Sequence, residues 1–208
     1  MGTPAQRMVA EQLRPHGVID ERVLQAMAGV PREEFLAPRM RRHAYEDRAL
    51  AIECGQTISQ PLVVALMAQA ASPQPDDVAL EVGTGSGYAA AILARLCRKV
   101  ISIEREPALA ERASETLRRL GFANVEVAVG DGSLGWPADA PYSVILVAAA
   151  ADHLPEALVD QLADGGRLVI PIATSSSEPQ DLRAYVRKGA DVFYRSLFPV
   201  LFVPLRTG

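Results

Sequence analysis

Val78-Ala79-Leu80-Glu81-Val82-Gly83-Thr84-Gly85-Ser86-Gly87 runs from a short apolar segment straight into three glycines at alternate positions. The apolar part reads as a buried strand. The glycines let the chain turn sharply and let a ligand come close to the backbone. Ala89 to Cys97, rich in helix formers, follows at once. Strand, glycine turn and helix in that order mark the nucleotide position of a doubly wound sheet. The spacing is G-x-G-x-G, unlike the G-x-G-x-x-G of dinucleotide folds. No G-x-x-x-x-G-K-[ST] occurs, which excludes a P-loop.

The alternation continues downstream. Lys99–Glu104, Val125–Val129, Val144–Val147 and Arg167–Ile172 read as strands, the last opening after Gly165-Gly166. Pro107–Leu120, stopped by Gly121, and Pro155–Leu162 read as helices between them. Strands that are continuously apolar and separated by helices form a mostly parallel sheet covered on both faces. Leu182–Arg187 and Val192–Pro204 then add antiparallel strands at one edge, after a Thr/Ser/Glu/Pro loop at 173–180. Upstream, residues 1–50 are helical in character. Asp20 reads as the N-cap of a helix that Gly29 stops as a C′ glycine, and Val30–Phe35 opens a short helical turn. Residues 48–60 form a loop around Gly55, and Pro61 starts a helix to about Ala71. The fold class is α/β: a doubly wound, mostly parallel sheet with N-terminal helices and C-terminal antiparallel edge strands.

With 208 residues, 49% of them apolar, the chain reads as one domain with a sizeable core. Its parts are an N-terminal helical region and loop (1–72), a ligand-binding core (73–172) and a C-terminal β extension (173–208). A net charge of −4 and the absence of a Lys/Arg run speak against nucleic acid as a partner. No apolar run spans a bilayer and no signal peptide is evident. The two cysteines, Cys54 and Cys97, lie far apart and offer neither a disulfide framework nor a zinc site. His16, His43 and His153 show no metal spacing. A cytoplasmic monomer without metal is the expectation.

Three carboxylates stand at strand ends: Glu81 before the glycines, Glu104 closing the second strand, and Asp131 after the third, in Gly130-Asp131-Gly132. Glu104 is placed to accept from two ribose hydroxyls, and Asp131 from the exocyclic amine of adenine. Glu81 is placed to meet a cationic amino group. Ammonium, ribose diol and adenine together describe S-adenosylmethionine. A pyrophosphate cofactor would want helix-terminal N–H groups instead.

The chain resembles the protein-L-isoaspartate O-methyltransferase family. The resemblance rests on Val30-Pro31-Arg32-Glu33-Glu34-Phe35, Ala44-Tyr45-Glu46-Asp47 and Gly55-Gln56-Thr57-Ile58-Ser59-Gln60-Pro61. It extends through Glu81–Tyr88, Ser102-Ile103-Glu104-Arg105, Gly130-Asp131-Gly132, Gly135-Trp136-Pro137 and Phe202-Val203-Pro204-Leu205. Gly-Gln-Thr-Ile-Ser is the discriminating piece. The resemblance implies a Rossmann-like methyltransferase fold. It implies methyl transfer from S-adenosylmethionine to the free α-carboxylate of L-isoaspartyl residues in damaged proteins, with S-adenosylhomocysteine as product. The ester then collapses to a succinimide, which starts repair.

The family's loop residues fall on Gln56, Thr57, Ile58 and Ser59, with Ser59 and Thr57 as the catalytic pair. Glu81, Gly83, Thr84, Gly85, Ser86, Glu104, Arg105, Asp131 and Gly132 fall in the cofactor pocket. A carboxylate is already ionised at neutral pH, so Ser59 reads as a positioning hydroxyl and not a nucleophile. Without the family pattern, Thr57 and Ser59 read first as caps for the helix at Pro61. Leu62, Leu50–Cys54 and Leu201 depart from the commoner family residues and bear on the acceptor. A carboxyl methyltransferase for an aspartate of one particular peptide, and a non-catalytic cofactor-binding module, are the alternative readings.

Overall fold

A computed structural model describes residues 2–174 and 179–208. The loop expected at 173–180 therefore lies partly outside the described residues. In chain order the elements are α1 (Pro4–Met8, running on through a π turn at Val9–Leu13), α2 (Glu21–Gly29), a ribbon of β1 (Leu50–Ala51) and β2 (Thr57–Ile58), and α3 (Pro61–Ala71). Then come β3 (Val78–Val82), α4 (Tyr88–Ala94), β4 (Lys99–Glu104), α5 (Pro107–Arg119), β5 (Val125–Val129) and β6 (Tyr142–Val147). The last are α6 (Glu156–Asp160), β7 (Leu162–Ile172), β8 (Gln180–Lys188) and β9 (Asp191–Val200).

The central sheet has the order β5-β4-β3-β6-β7-β8-β9. Strands β3 to β7 are parallel, and β8 and β9 are antiparallel. The chain winds outward from β3 to β5, then returns to place β6 on the other side of β3. That reversal opens a crevice at the carboxyl ends of β3 and β6, where doubly wound sheets bind ligands.

Strand periodicity divides the core. Ala79, Val100, Val144 and Val169 face one apolar layer with Leu13, Leu24, Met27 and Ile92. Their neighbours Leu80, Ile101, Ile145 and Leu168 face the other, with Leu158 and Tyr185. Adjacent residues on opposite faces, all buried, are why the strands read as unbroken apolar runs.

Four local expectations are corrected. Gly29 is the last helical residue and not a left-handed C′ stop; the chain leaves α2 at Val30 (φ −95°, ψ 116°). Val30 precedes Pro31, whose ring disfavours a helical conformation before it. Strand β7 begins at Leu162 and not Arg167, so α6 is shorter than predicted. Gly165-Gly166 sit inside a register shift against β6, where Tyr142 pairs with Leu162 but Val144 with Arg167. The glycines there make a bulge and not a break. Helix α4 stops at Ala94, where the amides of Leu96 and Cys97 both turn back to the Leu93 carbonyl. Finally, α3 is capped at Gln60 without a side-chain bond of its own. Asp47 reaches across to accept from the Leu62 amide at 3.3 Å, so neither Thr57 nor Ser59 is the cap.

Arg167 ties the N-terminal helices to the sheet. Its guanidinium donates to the carbonyls of Ala71 (2.8 Å) and Ser72 (3.0 Å), and pairs with Asp77 at 2.6 Å. Arg167→Met should therefore lower unfolding stability by about 2 kcal/mol, the worth of charged hydrogen bonds at a half-buried site. Urea denaturation with an unchanged slope checks this.

Candidate active site

The crevice is a cleft of about 900 Å³. Three segments close it: the glycine turn after β3, the ribbon β1–β2, and the chain after β9 from Leu201 to Arg206. The last segment is pinned at its inner end. Ala150 donates to the Val203 carbonyl (2.8 Å) and accepts from the Leu205 amide (2.7 Å). Gln180 holds Phe202 through the backbone on both sides (2.7 and 3.3 Å).

Glu81 ends β3 inside the molecule, 1% exposed. Its Oε2 accepts from Ser102 Oγ at 2.5 Å, and Ser102 lies 2.6 Å from Thr84 Oγ1. Ser102 spends its only proton on Glu81, so Thr84 is the donor in that second bond. Glu81 Oε1 has no partner among the described residues, although Glu81 lines the cleft. Burial pushes its pKa up to about 8, and the charge of Glu104 adds to this; the Ser102 bond and the nearby Ala90 backbone amide work against it. A buried oxygen without a donor fits a cationic group of the ligand.

Glu104, at the end of β4, is 6% exposed. Each of its oxygens takes one backbone donor: Oε2 from Gly85 N (2.8 Å), Oε1 from Glu106 N (3.0 Å). An ionised carboxylate has about four acceptor sites, so two stay free for a diol. The turn that brings Gly85 there depends on Gly83, whose φ of +93° disfavours any residue with a Cβ. Gly132 is equally fixed: a Cβ there would lie 2.3 Å from Val82.

The cleft wall takes in Gln56, Thr57, Ile58, Ser59, Glu81, Gly83, Thr84, Gly85, Ser86, Glu104, Arg105 and Gly132, all anticipated from sequence. Asp131 sits next to it. Its Oδ1 accepts from Ser133 N (2.9 Å) and Oγ (2.6 Å), and its Oδ2 from the Gly208 amide (2.7 Å). Burial opposes ionisation there, but these bonds and nearby Arg105 hold its pKa below the usual carboxylate value. Sequence reasoning missed Ser102, Ala148 and Ala149, His16, and the Phe198–Pro199 flank. Ala148-Ala149 carried a signal, since small residues directly after an apolar strand let a ligand approach. Trp136 packs against the core, as its type suggests, and His153 is exposed.

A parallel sheet reversing at β3, a glycine turn and acids at adjacent strand ends define a Rossmann-like methyltransferase. Within that class, the chain belongs to the protein-L-isoaspartate(D-aspartate) O-methyltransferase family, whose model matches residues 5–208. A protein-L-isoaspartate O-methyltransferase of Protochlamydia amoebophila is 52% identical over 199 residues, 95% of this chain and 94% of that one. The Methanoculleus marisnigri relative of the same name is 49% identical over 200 residues, 96% of this chain and 90% of that one. Among solved structures, a protein-L-isoaspartate O-methyltransferase superposes with TM-score 0.87 at 31% identity, over 97% of this chain and 66% of that one. A Plasmodium falciparum protein described as such a methyltransferase, solved with S-adenosyl-L-homocysteine, gives 0.84 at 28%, over 97% and 98%.

The buried Glu81 makes stability fall with pH. The folded protein binds a proton there between about 4.5 and about 8, while the unfolded chain has lost it above about 4.5. Its contribution is complete below that window and is lost as pH rises through it. Glu81→Gln should flatten this part of the profile, read as thermal midpoints across that range.

Proposed function

We propose that this protein transfers the methyl group of S-adenosylmethionine to the α-carboxylate of L-isoaspartyl residues, forming a methyl ester and S-adenosylhomocysteine. The observation that carries the reading is the unpartnered Oε1 of Glu81, with the remaining acceptor sites of Glu104 next to it, beside the Thr57–Ser59 ribbon. The cofactor supplies a methyl group already activated on a sulfonium.

The chain's own residues bind and orient. Glu81 Oε1 takes the ammonium, Glu104 the ribose hydroxyls, and Asp131 with Gly132 the adenine end. Gly83, Thr84, Gly85 and Ser86 bring the backbone into contact. Arg105 and Gln56 close the sides. An acceptor carboxylate is ionised at neutral pH, so no general base is needed. What is needed is alignment and exclusion of water, which supplies roughly 7–11 kcal/mol in the best model systems. Ser59 and Thr57 hold the carboxylate by hydrogen bonds. No group among the described residues bonds the Ser59 hydroxyl, which leaves it for the acceptor.

Isoaspartate differs from aspartate by a main-chain methylene and a displaced carboxylate. Recognition therefore runs through backbone geometry, with the peptide laid along the ribbon and the 201–206 segment. Leu62 lines the mouth and Leu201, 82% exposed, stands on its rim as apolar cover, while Arg206 of the same segment brings a positive charge to the wall. The reading treats 1–208 as one methyltransferase unit, with 1–72 and 173–208 forming the acceptor side of the 73–172 core. It places the protein in the cytoplasm as a monomer, without nucleic acid or membrane. No helix among the described residues is long and apolar enough to cross a bilayer.

The deciding assay offers labelled S-adenosylmethionine with one peptide in isoaspartyl and aspartyl forms. Base-labile methyl ester should form on the isoaspartyl form alone. Ester on the aspartyl form would favour the specific-aspartate alternative, and cofactor binding without any ester the binding module. Ser59→Ala should lower kcat/KM by roughly 10- to 100-fold, the worth of a hydrogen bond to a charged group. Cofactor binding should also release a proton below about pH 8, as Glu81 ionises to meet the ammonium. Calorimetry in buffers of different ionisation enthalpy reads that proton, and Glu81→Gln should abolish it.

A further inference from the structure

Arg32 is completely buried, 0% exposed, in the helical turn Arg32–Phe35. Its Nε donates to the Ala44 carbonyl (2.8 Å) and its Nη2 to the Ser59 carbonyl (2.7 Å). Its guanidinium carbon lies 4.7 Å from the centre of the Tyr88 ring, and Tyr88 lines the cleft. Nη1 has no partner among the described residues. No carboxylate there lies within ion-pair distance of this arginine. A buried cation in this state costs stability, and an apolar side chain of the same volume would not. Burial lowers its pKa, but a guanidinium starts so high that it stays charged.

From the other side, Asp47 accepts from the Gln60 side chain at 2.8 Å and from the Leu62 amide. Ser59 is thus fixed between a cation beneath its carbonyl and an anion gripping Gln60 and Leu62. The fork of Arg32 uses two carbonyls that no lysine could reach at once.

We propose that Arg32 is a positioning residue for methyl transfer: it fixes Ser59 through the backbone and draws the acceptor carboxylate toward the loop by a charge that no ion pair takes up. An arginine touching the carboxylate would bind it but take up the lone pairs it needs as a nucleophile. Arg32 is committed to carbonyls, so it attracts without quenching. The proposal rests on the carboxylate acceptor proposed above.

The test compares wild type, Arg32→Lys and Arg32→Met on the isoaspartyl peptide, with cofactor affinity and amide exchange at 57–60 measured in parallel. Arg32→Lys keeps the charge and loses the fork. Its kcat should fall ~10- to 100-fold, as misplacement on the order of 1 Å can cost, with KM near wild type. Arg32→Met should raise KM as well. Exchange at 57–60 should quicken in both, with cofactor affinity unchanged. If Arg32→Met does not fold, Arg32→Lys decides. A folded Arg32→Lys with wild-type kcat and exchange overturns the proposal, and so does loss of cofactor affinity in step with stability. Wild type that fails on the peptide defeats the acceptor reading instead, and loop exchange then decides the Arg32–Ser59 link alone.

Discussion

A carboxylate buried in the middle of a sheet, with one oxygen held and the other left open, is the constraint around which the molecule is arranged. Glu81 can lie there only because Ser102 reaches it from the neighbouring strand and Thr84 in turn supports Ser102. That chain of bonds fixes the start of the glycine turn, which presents the Gly85 amide to Glu104. Two acids are thereby held side by side at adjacent strand ends. The charge of Glu104 helps keep Glu81 protonated before a ligand binds, which favours a ligand that brings positive charge to Glu81 and neutral hydroxyls to Glu104.

The acceptor side is built on another principle. Nothing there needs to change protonation during the reaction, because an ionised carboxylate and an activated methyl group need only be brought into line. The structure accordingly invests in anchorage. The ribbon is tied at its base by Arg32 and Asp47, and the opposite wall is tied by Ala150 and Gln180. The N-terminal helices are joined to the sheet through Arg167, and the ribbon's Leu50 and Ile58 are buried in the core layer that those helices share.

The fold was legible where its causes are local. Apolar runs such as Val78–Val82 and Lys99–Glu104 announce strands buried on both faces, and the acids at their ends announce the site because a buried strand end rarely tolerates a charge. What could not be read depends on partners distant in sequence. Asp47 caps a helix that starts fourteen positions on. Arg32 stands in a charged turn, Arg32-Glu33-Glu34, and nothing local marks it as completely buried. Gly165-Gly166 read as a stop because glycine pairs usually end an element, while here the neighbouring strand continues past them and turns the extra residues into a bulge. The C-terminal strands are antiparallel and at an edge, as the sequence predicts, but their pairing register follows from packing that no local pattern encodes.

The two thiols are as unlike as two cysteines can be. Cys97 is buried and its thiol is pushed up to about 12, chiefly by burial. Cys54 is exposed at the tip of the ribbon, in a left-handed backbone conformation (φ 55°) that few side chains adopt. Alkylating dyes discriminate on accessibility and thiolate content, so they attach at the tip and spare the interior. The molecule thus carries a single native attachment point for a fluorophore, on the ribbon that forms one wall of the cleft. A dye there reports by light on what enters the cleft, without engineering either cysteine.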